Sequence, residues 1–346
     1  MSPNHERTTP IQKKHRHRLA VLICIALLLT AVVLSLMAGS YALSPGEILN
    51  TLLSRGEKLQ TFTLFELRLP RTVLALIVGA ALGISGGVLQ AITRNPLAEP
   101  GMTGINAGAA LFVVLWISSG SGAYYSALSM STARLIPLMA MAGGLLSALF
   151  IYMFAYKKGL RPVRFILTGI GVNAGILAVI SFYQLNMSRG DYNQVLTWTS
   201  GSLWGSRWDY ILITLPVAAL LTLVILARSR TLDALALGDT LAQSVGVHVR
   251  REMLFFLMAA AFLAAAATAV AGNIAFLGLL GPQLARRLTG PVHKRLLPLA
   301  AVISATILIF ADTAARNLFS PIELPVGIVV SILGVPYFIY LMFKGK

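Results

Sequence analysis

The feature that most constrains this chain is a series of ten apolar stretches, free of charge but for Asp312 and separated by short polar or basic segments, that fill more than half of its 346 residues. They lie near 19–40, 72–93, 105–120, 135–156, 165–187, 210–227, 253–271, 274–285, 298–315 and 324–343. A bilayer core takes about 20 apolar residues of helix, since lipid offers the backbone no hydrogen-bond partners. The expected fold class is therefore all-α: a polytopic membrane protein with about ten transmembrane helices in one compact bundle. The eighth stretch is short and carries Gly278, Gly281 and Pro282, which suits a tilted or broken helix buried among neighbours. Composition agrees, with 57% hydrophobic and only 12% charged residues, against about 25% charged in ordinary soluble domains. Too little chain is left for the soluble core of an ATPase, a Rossmann oxidoreductase or a nucleic-acid binder.

The net charge of +16 then reads as topology, because Lys and Arg resist translocation and stay cytoplasmic. Residues 1–18 form a basic leader with Lys13, Lys14, Arg16 and Arg18. The uncharged stretch that follows, Leu19 to Ala38, is longer than the apolar segment of a signal peptide, about 7–15 residues, and is expected to be a retained first helix. With the N-terminus inside, twenty basic residues fall on the cytoplasmic side and eight outside: Arg55, Lys58, Arg68, Arg71, Arg134, Arg189, Arg207 and Arg316. That bias predicts both termini cytoplasmic and an even number of crossings, with 19–346 as one transmembrane domain.

Ion-coupled carriers need titratable groups at membrane depth. Among the predicted spans only Asp312 qualifies, near an outer helix end and four residues before Arg316, where an ion pair is the simplest role. The five histidines, His5, His15, His17, His248 and His293, lie in predicted cytoplasmic segments without ligand spacing, and Cys24 has no second cysteine. No metal or cofactor is expected. The chain also lacks a G-x-x-x-x-G-K-[ST] phosphate loop, so ATP-driven transport would need a separate ATPase. The longest inner connection, 228–251, suits a docking segment: Gly238 and Gly246 punctuate it, and Asp239 to Val245 fits a short amphipathic helix. An ordinary solvated loop is equally open on this pattern alone. Glycines at 79, 83 and 87 and at 171 and 175, with the alanines at 259–261 and 264–267, predict close helix packing inside a bundle. In the outer connection 188–210, Trp198, Trp204 and Trp208 suit a short interfacial helix with headgroup anchors.

Several local patterns coincide. Leu67-Arg68-Leu69-Pro70-Arg71 precedes the glycine-rich second span, then Gln90 and Asn95-Pro96-Leu97-Ala98-Glu99-Pro100-Gly101. Leu235-Ala236-Leu237-Gly238-Asp239 and Val245-Gly246-Val247 follow in the long inner connection. The last third carries Gly272-Asn273-Ile274-Ala275-Phe276-Leu277-Gly278-Leu279, Leu296-Leu297-Pro298, Ala311-Asp312-Thr313-Ala314-Ala315-Arg316 and Glu323-Leu324-Pro325-Val326-Gly327. In this order the chain resembles, over about 40–343, the permease subunits of ABC importers for iron-siderophores, haem and vitamin B12. Two departures are visible: Pro282-Gln283 stands where that family commonly has Pro-His, and Asn273 where proline or alanine is common.

The resemblance implies a transport subunit without its own ATPase site, in the bacterial cytoplasmic membrane. It also implies an identical or homologous second permease subunit, two cytoplasmic ATP-binding subunits and an extracytoplasmic substrate-binding protein. By motif position, Arg68, Arg71 and Arg316 would dock the binding protein, with anchoring of helix ends as the alternative role. Leu235, Leu237, Gly238, Asp239, Val245 and Gly246 would couple to the ATPase. Asn95, Leu97, Pro162 and Val163 would form the cytoplasmic gate. Thr168 and Asn173 would line the path, or pack against another helix. The expected activity is inward, ATP-driven movement of an iron-siderophore complex by alternating access. Haem or cobalamin is the next choice of cargo, and an ion-coupled secondary transporter the rival class.

Overall fold

The computed structural model describes residues 10–121, 130–156, 162–318, 320 and 322–344. The expectations for the first nine leader residues, Lys157, Lys158, Arg161 and Lys346 lie outside the described residues. The described chain is helical throughout: α1 (Pro10–Met37), α2 (Pro45–Leu52), α3 (Lys58–Phe62), α4 (Leu69–Thr93), α5 (Ile105–Trp116), α6 (Met130–Ala155), α7 (Pro162–Leu185), α8 (Arg189–Thr199), α9 (Trp208–Ala227), α10 (Ser229–Ala236), α11 (Asp239–Ser244), α12 (Val249–Ala271), α13 (Leu277–Thr289), α14 (His293–Asn317) and α15 (Val326–Lys344). A π-type turn, Thr63–Arg68, makes α3 and α4 one continuous rod.

Each of the ten apolar stretches falls on a helix. Eight helices among the described residues are long and apolar enough to cross a membrane, while Ile105–Ser119 is shorter and α13 has only 13 residues. The connections hold the other five. Helix α8 lies in the connection between α7 and α9, where a short helix was expected, and α11 covers Asp239–Ser244, within the stretch whose pattern fits a short amphipathic helix. Helix α10 was not anticipated; its Leu232 and Leu235 are fully buried. Ahead of α2, Ser44 and Glu47 form a reciprocal capping box, and Glu57 and Gln60 exchange the same contacts ahead of α3. The Ser44 backbone N–H, then its hydroxyl, hold the Glu47 carboxyl below the usual carboxylate range.

The core is α4 wrapped by α14, α12 and α13. Its glycines make that approach possible. A Cβ on Gly79 would lie 2.5 Å from the Ala305 backbone, one on Gly83 2.7 Å from the Ala300 carbonyl oxygen, and one on Gly86 1.8 Å from the Gly278 carbonyl oxygen. Helix α12 contributes the expected alanine face, with Ala259 to Ala261 and Ala264 to Ala267 buried. The second glycine pair corrects the expectation. Nothing lies within 4 Å of a Cβ on Gly171 or Gly175, so those positions of α7 are open within this chain.

Two backbone excursions position the interior. Gly272, at φ +68, ends α12, and an extended stretch leads to Phe276, whose left-handed φ of +65 starts α13 at Leu277. The eighth stretch is thus helical from 277 rather than 274. Gly334 of α15 makes room for Phe276, since a Cβ there would lie 2.3 Å from the Phe276 Cβ. The second excursion follows α4: after Asn95 the chain turns back alongside the helix it has just left. Pro100 reaches Gly278, where a Cβ would meet the Pro100 Cδ at 2.8 Å, and Gly278 itself abuts Gly86. Gly86 precedes Thr93 by seven residues, about 10 Å at 1.5 Å per residue. Residues 95–104 therefore lie beside the middle of α4 rather than in a loop below it.

Candidate permeation path and its two ends

At the end of the bundle where α1, α4 and α14 meet, the three arginines expected to face a docking partner sit close together and point inward. Arg68 is 4% exposed and donates to the carbonyls of Leu36 (2.5 Å), Met37 (3.1 Å) and Tyr41. Arg71 forms a fork on Asp312, with Nη2 at 2.8 Å from Oδ1 and Nε at 3.1 Å from Oδ2, and its Nη1 reaches Glu323 at 2.8 Å. Arg316 donates to the Ser35 carbonyl (3.2 Å) and hydroxyl (3.1 Å) and lies 3.3 Å from Asp312. The i, i+4 pair expected at Asp312 is present, but the stronger bidentate partner comes from 241 residues away. These guanidiniums lock three helix ends together instead of standing free on the surface, because a charge this buried needs partners.

At the opposite end the expected coupling residues divide by role. Leu235 is buried, whereas Leu237 and Val245 are each 69% exposed. Gly238 (φ +117) and Gly246 (φ +84) hold backbone conformations that side chains resist. Asp239 pairs with Arg94, whose Nε also donates to the Leu235 carbonyl at 3.2 Å. Arg94 directly precedes Asn95, so the α10–α11 segment is tied to the turn expected to gate the path. That turn is itself organised: Asn95 Oδ1 accepts the Leu97 N–H at 2.9 Å, and Gln283 Nε2 donates to the Pro96 carbonyl (2.7 Å) and to Gln90 Oε1 (3.1 Å). Asp233 of α10 accepts the His293 N–H at 2.9 Å and lies 2.5 Å from His293 Nδ1, which fastens α10 to the start of α14. A groove of about 690 Å³ beside α11 is lined by Gln243, Gly246, His248, Arg250 and Arg251. The other proposed gate positions, Pro162 and Val163, begin α7, with Val163 70% exposed.

Between the ends lies a cavity of about 390 Å³, lined by Glu99, Asn106, Asn173, Thr199 and Asn273 with apolar side chains of α7. Of the two residues expected to line the path, Asn173 lines this cavity, whereas Thr168 is half-buried and outside its lining. Asn106 Nδ2 donates to Asn273 Oδ1 at 2.8 Å, and Thr268 Oγ1 donates to Asn106 Oδ1 at 3.1 Å. Asn273, visible in the sequence as a departure, thus belongs to a buried polar relay. Glu99 reaches this level only through the return of residues 95–104. Sequence reasoning missed Glu99, Arg94, Asn106 and Gln283 as site residues. Gln283 had a signal, as the other departure, and Glu99 stood inside the Asn95–Gly101 motif. No group of three or more His, Cys, Asp or Glu among the described residues is arranged to hold a metal.

The family model described as the FecCD transport family matches residues 27–344. The chain belongs to the FecCD transport family. It is 45% identical over 328 residues to the iron(3+)-hydroxamate import system permease protein FhuG of Bacillus subtilis (strain 168), covering 94% of this chain and 97% of that one. It is 41% identical to the iron-uptake system permease protein FeuC of the same organism, covering 93% and 96%. Among solved structures it matches an inward-facing metal-chelate type ABC transporter with a TM-score of 0.81 and 30% identity, over 94% of this chain and 98% of that one. As a FecCD member this is a multi-pass permease of the bacterial inner membrane, a transport subunit of an importer rather than an enzyme.

Proposed function

We propose that this FecCD chain is the permease half-unit of an ATP-driven importer that moves a ferric siderophore inward by alternating access, a ferric hydroxamate before other chelates. The observation that carries the reading is the 45% identity, spread over nearly the full length of both chains, to a permease named for iron(3+)-hydroxamate import. In this reading ten helices cross the membrane with both termini cytoplasmic. A second permease subunit completes the path, two ATP-binding subunits seat against α10, α11 and the neighbouring groove, and a binding protein delivers cargo from outside. Residues 228–251 form the coupling element: Leu235 anchors it, Leu237 and Val245 meet the ATPase, and Gly238 and Gly246 set its bends. The Arg94 contacts to Asp239 and Leu235 carry its motion to the gate at Asn95 and Leu97, which Pro162 and Val163 complete. Arg68, Arg71 and Arg316 act in docking by fixing the helix ends on which the outer surface rests, and Asn173 and Thr168 lie along the path.

The test is uptake of a ferric trihydroxamate into proteoliposomes holding the complete complex with its binding protein. Transport should require ATP, and Gly238→Val or Gly246→Val should leave ATP hydrolysis running while uptake falls about tenfold or more. Uptake by the purified chain alone on a proton or sodium gradient would establish the ion-coupled alternative instead.

A further inference from the structure

The buried carboxyl of Glu99 has no role in the coupling, gating or docking described above. It is 4% exposed and, among the described residues, is the only ionisable side chain lining the central cavity. The Phe276 N–H faces it, presented by the left-handed backbone of Phe276. A carboxyl group has two oxygens and about four acceptor positions, so one N–H leaves most of its capacity unused. Removing a carboxylate from water is costly unless other donors or a cation replace the lost hydration. Among the described residues no lysine or arginine lines the cavity to do this.

The surroundings are built for contact rather than closure. Gly101 lies between the Glu99 carboxyl and the Asn106 amide, since a Cβ there would be 3.4 Å from Glu99 Oε1 and 3.7 Å from Asn106 Nδ2. The Thr268–Asn106–Asn273 relay fixes the orientation of the Asn106 amide beside the carboxyl, and Asn173 approaches from α7. The cavity therefore presents the Glu99 carboxyl beside the Asn106, Asn273 and Asn173 amides on one polar wall.

We propose that Glu99 contacts the cargo, and that with Asn106, Asn273 and Asn173 it forms a subsite for metal chelates presenting N–H, O–H or ammonium donors on a neutral or cationic surface. Polyanionic chelates are disfavoured at the same point. A carboxylate attracts such donors with charge-assisted hydrogen bonds, roughly twice as strong as neutral ones, while like charges brought together in a low-dielectric cavity repel. This inference rests on the permease reading above and assigns the chemical class of its cargo.

The experiment compares uptake of ferrioxamine B, a cationic trihydroxamate complex, with uptake of a neutral ferric trihydroxamate. The complete ATP-driven complex in proteoliposomes carries either wild type or Glu99→Gln. Glutamine still accepts the Phe276 N–H, so folding is kept and only the charge is removed; gel filtration and binding-protein-stimulated ATP hydrolysis verify this. The expected result is that the ratio of cationic to neutral uptake falls about tenfold in Glu99→Gln and is restored in Glu99→Asp. An unchanged ratio in a complex that hydrolyses ATP normally overturns the proposal, as does equal loss of both cargoes. If wild type moves neither chelate with ATP, the permease reading itself fails, an outcome distinct from any change in the ratio.

Discussion

Helices α4, α12 and α14 and helices α7, α9 and α15 are all apolar enough to span a bilayer, yet they live in different surroundings. Within the chain, 83% of the apolar stretch of the α3–α4 rod is buried, with 72% for α12 and 67% for α14, against 17% for α7 and 22% each for α9 and α15. Apolar character does not separate the two groups, because lipid tails are as apolar as leucine and give helices no hydrophobic reason to pair. Small residues separate them only where a facing backbone exists. Gly79 and Gly83 meet backbone atoms of α14, while Gly171 and Gly175 meet nothing within this chain. The same four-residue spacing thus marks a packed seam in one helix and an open face in another.

That contrast is most directly broken by size. Gly86→Leu places a side chain where the Gly278 carbonyl already stands, and the expected outcome is loss of monodisperse protein after detergent extraction. Gly175→Leu should leave the melting temperature of the extracted chain unchanged. Equal damage from both would show that α7 is as tightly held as α4.

The next largest effect concerns the charges that lock the core helices. Asp312→Ala leaves Arg71 and Arg316 buried without their shared carboxylate, and should cost about 3–5 kcal/mol, the range for breaking a buried pair from one side. Denaturant or thermal unfolding checks this, and Asp312→Asn should recover part of the loss by keeping acceptor capacity.

The smallest effect on stability, and the sharpest on function, is expected at Arg94→Ala. Its partner Asp239 is about half exposed, so the pair is worth only about 0–1 kcal/mol and melting should barely move. Uptake per ATP hydrolysed should nevertheless drop severalfold if the link between α11 and the Asn95 turn transmits the stroke. An unchanged ratio would place transmission elsewhere, with the Asp233–His293 contact and the buried Leu232 and Leu235 as the other ties from α10 to the bundle.

Legibility followed the range of the interactions involved. The ten helices, the α4 glycine seam and α11 were readable because local apolar period, residue size and glycine punctuation act within a few residues. The Arg71–Asp312 fork was not, since its members stand 241 positions apart and a basic residue at a helix end reads equally as anchor or docking group. Helix α10 was missed because its buried Leu232 and Leu235 follow the polar run Ser229-Arg230-Thr231 and flank Asp233, a composition that suits a loop. Gln283 and Asn273 were visible as departures, but their partners, the Pro96 carbonyl and Asn106, belong to segments folded far away in sequence.

What the amino-acid order determined by itself is the solvent this protein lives in, the all-helical class and the family, because each rests on local hydropathy or on short motifs in a set succession. What only the tertiary structure decided is which apolar face is seam and which is open, and where the charges end up. The clearest case is the segment after α4. Read along the chain, Asn95 to Gly104 is a polar turn between spans; in space it climbs beside Leu82 to Gly86 and carries Glu99 into the central cavity. That return exists because Gly86 and Gly278 lack side chains at the one point where α4, α13 and Pro100 meet, a three-body packing condition that no local pattern encodes.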